Sequence, residues 1–192
     1  MKKILLIGAG GHCKSCIDVI ERTCNWRISG IIDRKDSGVF DVFGYPVIGD
    51  DDDLPKLKKK YDFAFVTVGQ IRSAEPRVNL ANKLRDLGFM QPALISPLAY
   101  VSKHAKLGDG TIVMHYAMVN AAANVGENCI VNTKAIIEHD SVVGDYCHIS
   151  TGAVINGGVV VGEKSFVGSQ ATTNQMITIP PGSFIKAGTV VK

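Results

Sequence analysis

The run Glu138-His139-Asp140 sets an imidazole between two carboxylates. Imidazole takes up and releases a proton near neutral pH. A carboxylate bonded to one ring nitrogen fixes the tautomer and makes the other nitrogen more basic. Such a pair suits the removal of a proton from an amine or hydroxyl as it attacks an acyl carbon. Direct attack of that kind needs no covalent acyl-enzyme. Asp140 and Glu138 compete for the supporting place, and spacing alone does not choose between them.

A second group of residues suits anion binding. Gly8-Ala9-Gly10-Gly11-His12 follows an apolar run, Lys3–Ile7, and precedes a helical stretch around Ser15–Arg22. Small residues at a helix start leave backbone N–H groups open to phosphate. The loop matches the dinucleotide pattern G-x-G-x-x-G imperfectly, with Cys13 in the place of the last glycine. Asp33, at the end of a second strand (Ile28–Ile32), lies where a ribose-binding carboxylate is expected. The domain is short for a complete dinucleotide site. Cys13 and Cys16 form a lone C-x-x-C, read as helix packing, because no second pair stands at zinc spacing.

The elements that must hold these residues come in two periods. Up to residue 94 the pattern is strand, glycine turn, helix, strand, with a third strand at Phe63–Val68 ending on Gly69 and a helix near Pro76–Leu87; this is a parallel α/β unit. The acidic run Asp50–Asp53 reads as a helix N-terminal cap. From residue 95 an aliphatic side chain recurs at every sixth position, among them Val113, Val119, Val125, Val131, Ile137, Val143, Ile149, Ile155, Val161 and Val167. Thr173 alone breaks the series. Four residues after each anchor the side chain is usually small, as at Ala117, Ala123, Cys129, Ala135, Cys147 and Ala153. A period of six fits neither a helix nor a two-faced strand. It predicts a parallel β-helix with one short strand and one corner per hexad. Gly126, Asn132, Gly144 and Asn156 are expected to accept the corner turns, and His139, on a corner, is expected to point away from the interior.

Composition narrows the classes further. Apolar residues make up 46% and charged residues 20% of 192, which is globular and not disordered. A net charge of +3 suits small anions, but no basic run is dense enough for nucleic acid. The first apolar run meets glycines too soon for a signal peptide, and no stretch has the length of a membrane span. The expectation is a cytoplasmic protein with reduced cysteines.

The hexads resemble the left-handed β-helix of the hexapeptide acyltransferases. Glycine loop, compact α/β domain and hexads, in that order, resemble the NeuD/PglD-like sugar O- and N-acyltransferases over almost the whole chain. The resemblance implies an α/β Rossmann-like domain at residues 1–94 that binds a nucleotide-activated sugar, followed by an all-β left-handed parallel β-helix at 95–192. It also implies a homotrimer with acetyl-CoA between neighbours. The family's Glu-His-(Asp/Glu) motif coincides with Glu138-His139-Asp140, which makes His139 the general base and Asp140 its helper. His148 matches a histidine that contacts acetyl-CoA, and Ser169 and Ala187 match further CoA contacts; many relatives carry Gly near 187 and a further C-terminal tail. Gly10, Gly11, His12, Asp33, Gly69 and Arg72 match the substrate-binding positions. No metal is implied: the metal-binding hexapeptide class needs two histidines five residues apart, a spacing absent here. The leading function is N-acetylation of a UDP-4-amino-sugar for a surface glycan. O-acetylation of sialic acid or a related sugar, and a non-catalytic trimeric scaffold or sensor, are the alternatives.

Overall fold

The first apolar run forms strand β1 (Lys2–Ile7) in the computed structural model, which describes residues 1–192. Two units form. One comprises Met1–Gly69 with Glu75–Pro92, the other Gln70–Ala74 with Ala93–Lys192. The segment Gln70–Ala74 therefore packs with the second unit, although it is flanked in sequence by residues of the first.

In the first unit, β1 is followed by α1 (Gly11–Thr23), β2 (Trp26–Ile32), β3 (Asp41–Val42), β4 (Tyr45–Gly49), α2 (Leu54–Lys58), β5 (Phe63–Val66) and α3 (Glu75–Asp86). The sheet order is β3-β4-β2-β1-β5, with β3 alone antiparallel. Ile4 to Ile7 are buried without a break, as in a parallel strand covered on both faces. The β3–β4 hairpin turns on Phe43 (φ 54°) and Gly44 (φ 83°), the paired left-handed conformation of a two-residue hairpin. Sequence periodicity does not show so short a strand as β3.

The acidic run does not cap α2 as expected. Asp53 stands before the helix, but its Oδ2 accepts from the Asp50 N–H (3.1 Å) and makes no capping bond. The helix is only five residues long and its second residue is Pro55, which leaves few N–H groups to satisfy. Asp50 Oδ1 accepts from the Asp52 N–H, and Asp50 pairs with Lys35 at 3.1 Å. Both interactions, the backbone bond first, hold the Asp50 carboxyl below its ordinary range.

Cys13 and Cys16 lie on the buried face of α1 with Ile17 and Ile20. Burial pushes the Cys13 thiol up to about 11 and raises that of Cys16 further. Cys129 and Cys147 are also buried, and Cys24 alone is exposed. An aromatic disulfide reagent at pH 8 should therefore titrate one thiol per native chain. Release of several thiols at the same rate would contradict this packing.

The second unit carries one two-residue strand per hexad, from Leu94–Ile95 to Val190–Val191. The strands stack in parallel into three sheets of six, five and six. Each pairs with the strand one coil, 18 residues, along, as Val119 pairs with Ile137. The anchors Val113 to Val167 fill the interior, together with the small residues Ala117, Ala123, Cys129, Ala135, Cys147, Ala153 and Ala171. Burial of each aliphatic anchor contributes about 1.5–3 kcal/mol. Where the small residue is polar it bonds inward: Thr111 Oγ1 donates to Gly126 O (2.7 Å), Ser141 Oγ to Asn156 O (2.9 Å). No helix is long and apolar enough to cross a membrane.

The corner residues divide differently from expectation. Positive φ falls three residues after the anchor, at Tyr116, Ala122, Asn128, Lys134, Asp140 and Tyr146, and not at Gly126, Asn132, Gly144 or Asn156. Gly126 and Gly144 are required for another reason, the close approach of successive coils. A Cβ on Gly144 would stand 2.6 Å from the Glu163 nitrogen.

Candidate active site

Three parallel neighbours, β2, β1 and β5, end level with one another: Ile7 stands opposite Ile32 on one side and Val66 on the other. Strand order reverses at β1, which opens a crevice at these carboxyl ends. The glycine loop enters it directly. Gly8 takes φ 107° and has no room for a Cβ, which would meet Val68 Cγ2 at 2.5 Å. Its N–H donates to Ile32 O (2.7 Å), and its carbonyl accepts from Thr67 Oγ1 (2.5 Å). The loop is thus tied to the ends of both flanking strands.

Gly10 and Gly11 face open space, since a Cβ on either would meet nothing within 4 Å. Gly10 stands at the N-cap of α1 and Gly11 is its first residue, and no side chain caps the first N–H groups of this 13-residue helix. Asp33 follows β2 directly, its N–H bonded to Gly49 O (3.2 Å), and its charge acts on the Cys13 thiol. Gly69 lies against His12, whose Cβ is 3.5 Å from the place of a Gly69 Cβ. Of the expected substrate residues, Gly10, Gly11, His12, Asp33 and Gly69 gather at one sheet end. Arg72 does not belong to this set, being an exposed residue of the segment that packs with the second unit.

Two residues that shape this crevice have no motif. Thr67 is fully buried, and its hydroxyl holds the glycine loop. Arg77 is 1% exposed on α3 and donates to the carbonyls of Val66 (3.2 Å) and Val68 (2.6 Å), fixing the exit of β5. The only sequence sign of Arg77 is an arginine inside an amphipathic helix, which ordinarily marks a solvated face.

In the second unit, His139 stands on the turn after the strand Ile136–Ile137, with its side chain 61% exposed. Its Nδ1 lies 2.8 Å from Asp140 Oδ2. A carboxylate only accepts, so Nδ1 carries the proton and Nε2 presents its lone pair outward. Asp140 reaches this place because it takes the left-handed turn conformation, φ 61°, which aspartate tolerates. Glu138 turns elsewhere and accepts from Asn120 Nδ2 at 2.7 Å, one coil earlier. The geometry thus pairs His139 with Asp140.

One coil later, Gly157 lies beneath the ring. A Cβ there would stand 2.8 Å from His139 Cε1 and 2.9 Å from Nε2. The sequence marks this place only by the double glycine Gly157-Gly158, where φ is positive at Gly158 alone. Gly157→Ala should lower kcat by about tenfold through displacement of the ring, at constant Tm. Unchanged kcat would show that the ring can turn aside without consequence.

His148 occupies a different sheet, on the strand His148–Ile149, and is only 8% exposed. Its Nδ1 donates to Gln70 O (2.6 Å), and its Nε2 accepts from Asn132 Nδ2 (3.0 Å). Gln70 also donates from Nε2 to Tyr146 O (2.9 Å), so this histidine belongs to the clasp on the segment Gln70–Ala74. His148 is not brought to the corner of His139. Ser169 and Ala187 share a third location, successive rungs of one corner, where the Gly188 N–H donates to Ser169 O (2.9 Å). Ser169 also bonds Ser150 (3.0 Å), and Ala187 is exposed. Among all residues, no group of three or more His, Cys, Asp or Glu is arranged to hold a metal ion.

Residues 3–84 match the model of the PglD N-terminal domain. A perosamine N-acetyltransferase from Caulobacter crescentus, determined as a histidine-to-asparagine mutant with CoA and GDP-perosamine, is 34% identical. Its TM-score is 0.94, over 100% of this chain and 89% of that one. The acetyltransferase domain of PglB from Neisseria gonorrhoeae, in complex with acetyl coenzyme A, is 32% identical, with a TM-score of 0.90 over 99% of this chain and 92% of that one. WeeI from Acinetobacter baumannii, at 20% identity and a TM-score of 0.76, shares the fold. No curated protein sequence matches significantly. A Rossmann-like crevice, a stacked parallel β-helix with a His–Asp corner, and these likenesses across the whole chain place it in the PglD/NeuD-like family of acetyl-CoA-dependent sugar acetyltransferases.

Proposed function

We propose that the chain transfers an acetyl group from acetyl-CoA to the amine of a nucleotide-activated amino sugar, for surface glycan synthesis in the cytoplasm. The observation that carries this reading is the exposed His139, paired through Nδ1 with Asp140 and left with a free basic nitrogen at Nε2. His139 Nε2 takes the proton of the attacking amine, and Asp140 stabilises the imidazolium that forms. The tetrahedral adduct collapses with expulsion of the CoA thiolate, to which the proton is returned. A Caulobacter relative that holds both CoA and GDP-perosamine after loss of a histidine fits a residue needed for transfer and not for binding.

The crevice at the ends of β2, β1 and β5 is assigned to the nucleotide sugar. Gly10, Gly11 and His12 at the start of α1 receive the diphosphate, and Asp33 receives the ribose. Gly69 borders the crevice; Arg72, the remaining residue expected to bind the substrate, lies on the segment that packs with the second unit. His148, Ser169 and Ala187 are assigned to acetyl-CoA, within a homotrimer. The uridine-linked 4-amino sugar expected from the sequence stands beside a guanosine-linked one, because the Caulobacter relative carries GDP-perosamine. The test is thiol release from acetyl-CoA with UDP-, dTDP- and GDP-linked 4-amino sugars and, alongside, free sialic acids. Turnover of one nucleotide amino sugar supports the reading and names the base. Turnover of sialic acid alone replaces it with O-acetylation, and silence throughout in a folded protein favours a scaffold.

A further inference from the structure

Thr173 is the one residue that interrupts the aliphatic hexads, and it is 1% exposed where its counterparts are Val, Leu or Ile. A hydroxyl in so narrow an apolar interior is costly unless it is bonded. Its partner is Asn156, on the preceding coil. The Asn156 N–H donates to Thr173 Oγ1 (2.9 Å), and Asn156 Nδ2 donates to Thr173 O (2.5 Å).

This replaces the bond that the other coils make at the same place. The Asn120 N–H donates to the carbonyl of Ile137 and the Glu138 N–H to that of Ile155, each at 2.9 Å. At Asn156 the anchor carbonyl is taken by the amide side chain, and the N–H reaches the hydroxyl instead. The ladder registers the change: Val154 pairs with Thr172, but Ile155 and Thr173 drop out of the register, whereas the coil before pairs both residues.

The altered rung lies at the turn beneath the ring of His139. Asn156 leads directly into Gly157, which lies so close to the ring that a Cβ would meet it, and the Gly158 N–H donates to His139 O (3.0 Å). Asn156 O is itself held by Ser141 Oγ (2.9 Å) on the coil of His139. A hydroxyl in the interior is thus bonded to the residue that leads into the turn beneath the imidazole.

We propose that Thr173 is a positioning residue for His139, acting through Asn156 and Gly157. With an aliphatic anchor in its place, the Asn156 N–H would close on the carbonyl as in neighbouring coils. The turn would then move, and the ring with it. This proposal rests on the reading of His139 as the base.

The test uses the full chain and three variants at this coil, with His139→Ala in parallel. Thr173→Val has nearly the same volume and restores the hexad pattern, so its Tm should equal or exceed that of the parent. Its kcat should fall by about tenfold or more, with KM for both substrates within about twofold. Thr173→Ser retains the hydroxyl and should restore most of kcat. Asn156→Ala, at a half-exposed corner, should lose kcat in the same way. Full activity in Thr173→Val, or a chain so altered that it fails to fold, would overturn the proposal by making the hydroxyl idle or merely structural. Activity in His139→Ala would instead overturn the reading on which the proposal stands.

Discussion

His139→Ala lowers kcat by about a thousandfold and leaves KM for the sugar and for acetyl-CoA within a few-fold, on the mechanism proposed here. The side chain is 61% exposed and makes its one side-chain bond to Asp140, so the fold loses little when it is removed. Tm should therefore stay within a degree or two of the parent. The interaction it provides is made only as the amine loses its proton, so the loss belongs to kcat. Asp140→Asn is expected to cost less, because an amide can still hold the ring but cannot stabilise imidazolium. A variant at position 139 that retained a tenth of the parent kcat would remove the base from the mechanism.

Gly144→Ala and Gly10→Ala should have opposite effects, although each adds a single methyl group. At Gly144 the new Cβ lies 2.6 Å from the Glu163 nitrogen and 2.9 Å from its Cα, so backbone must move. Overpacking against backbone between coils is expected to cost about 3 kcal/mol or more. At Gly10 the Cβ meets nothing within 4 Å, and the backbone there, φ −75° and ψ −172°, suits any residue. Gly10→Ala should keep its Tm but raise KM for the nucleotide sugar by about tenfold, since the methyl fills the place assigned to the diphosphate. Thermal melts and steady-state kinetics on both proteins decide this. Loss of stability at Gly10, or none at Gly144, would contradict the account of the glycines.

Much of the fold was legible because each half repeats a physical constraint. Anchors from Val113 to Val167 recur every sixth residue because each fills one wall of a narrow prism, and the buried run Ile4–Ile7 reads as a covered parallel strand. The hairpin of Phe43 and Gly44 was not legible, since a strand of two residues has no period. The corner glycines stand out in the sequence, but their reason does not. Type alone shows that Gly144 is unusual, and only the stacked coils show that the reason is close approach and not turn geometry.

At the site, the histidine and its two carboxylates stand together in the sequence, but the choice between them depends on Asn120, a full coil away, which draws Glu138 aside. His148 matches a ligand contact by resemblance, and its ring nitrogens engage Gln70 and Asn132. Arg77 and Thr67 are not legible, because a buried donor to backbone carbonyls leaves no pattern in sequence. Thr173 was visible as an exception, but its meaning required the rung that it alters.

The most direct test of N-acetyl transfer is the chemical nature of the bond formed. Purified protein is given acetyl-CoA and each nucleotide-linked 4-amino sugar, and the product is examined by mass spectrometry before and after treatment with neutral hydroxylamine. The account predicts one acetyl group per sugar that survives hydroxylamine, as an amide does. An acetyl group that hydroxylamine removes would be an ester on a hydroxyl, and would contradict the assignment of the amine as nucleophile.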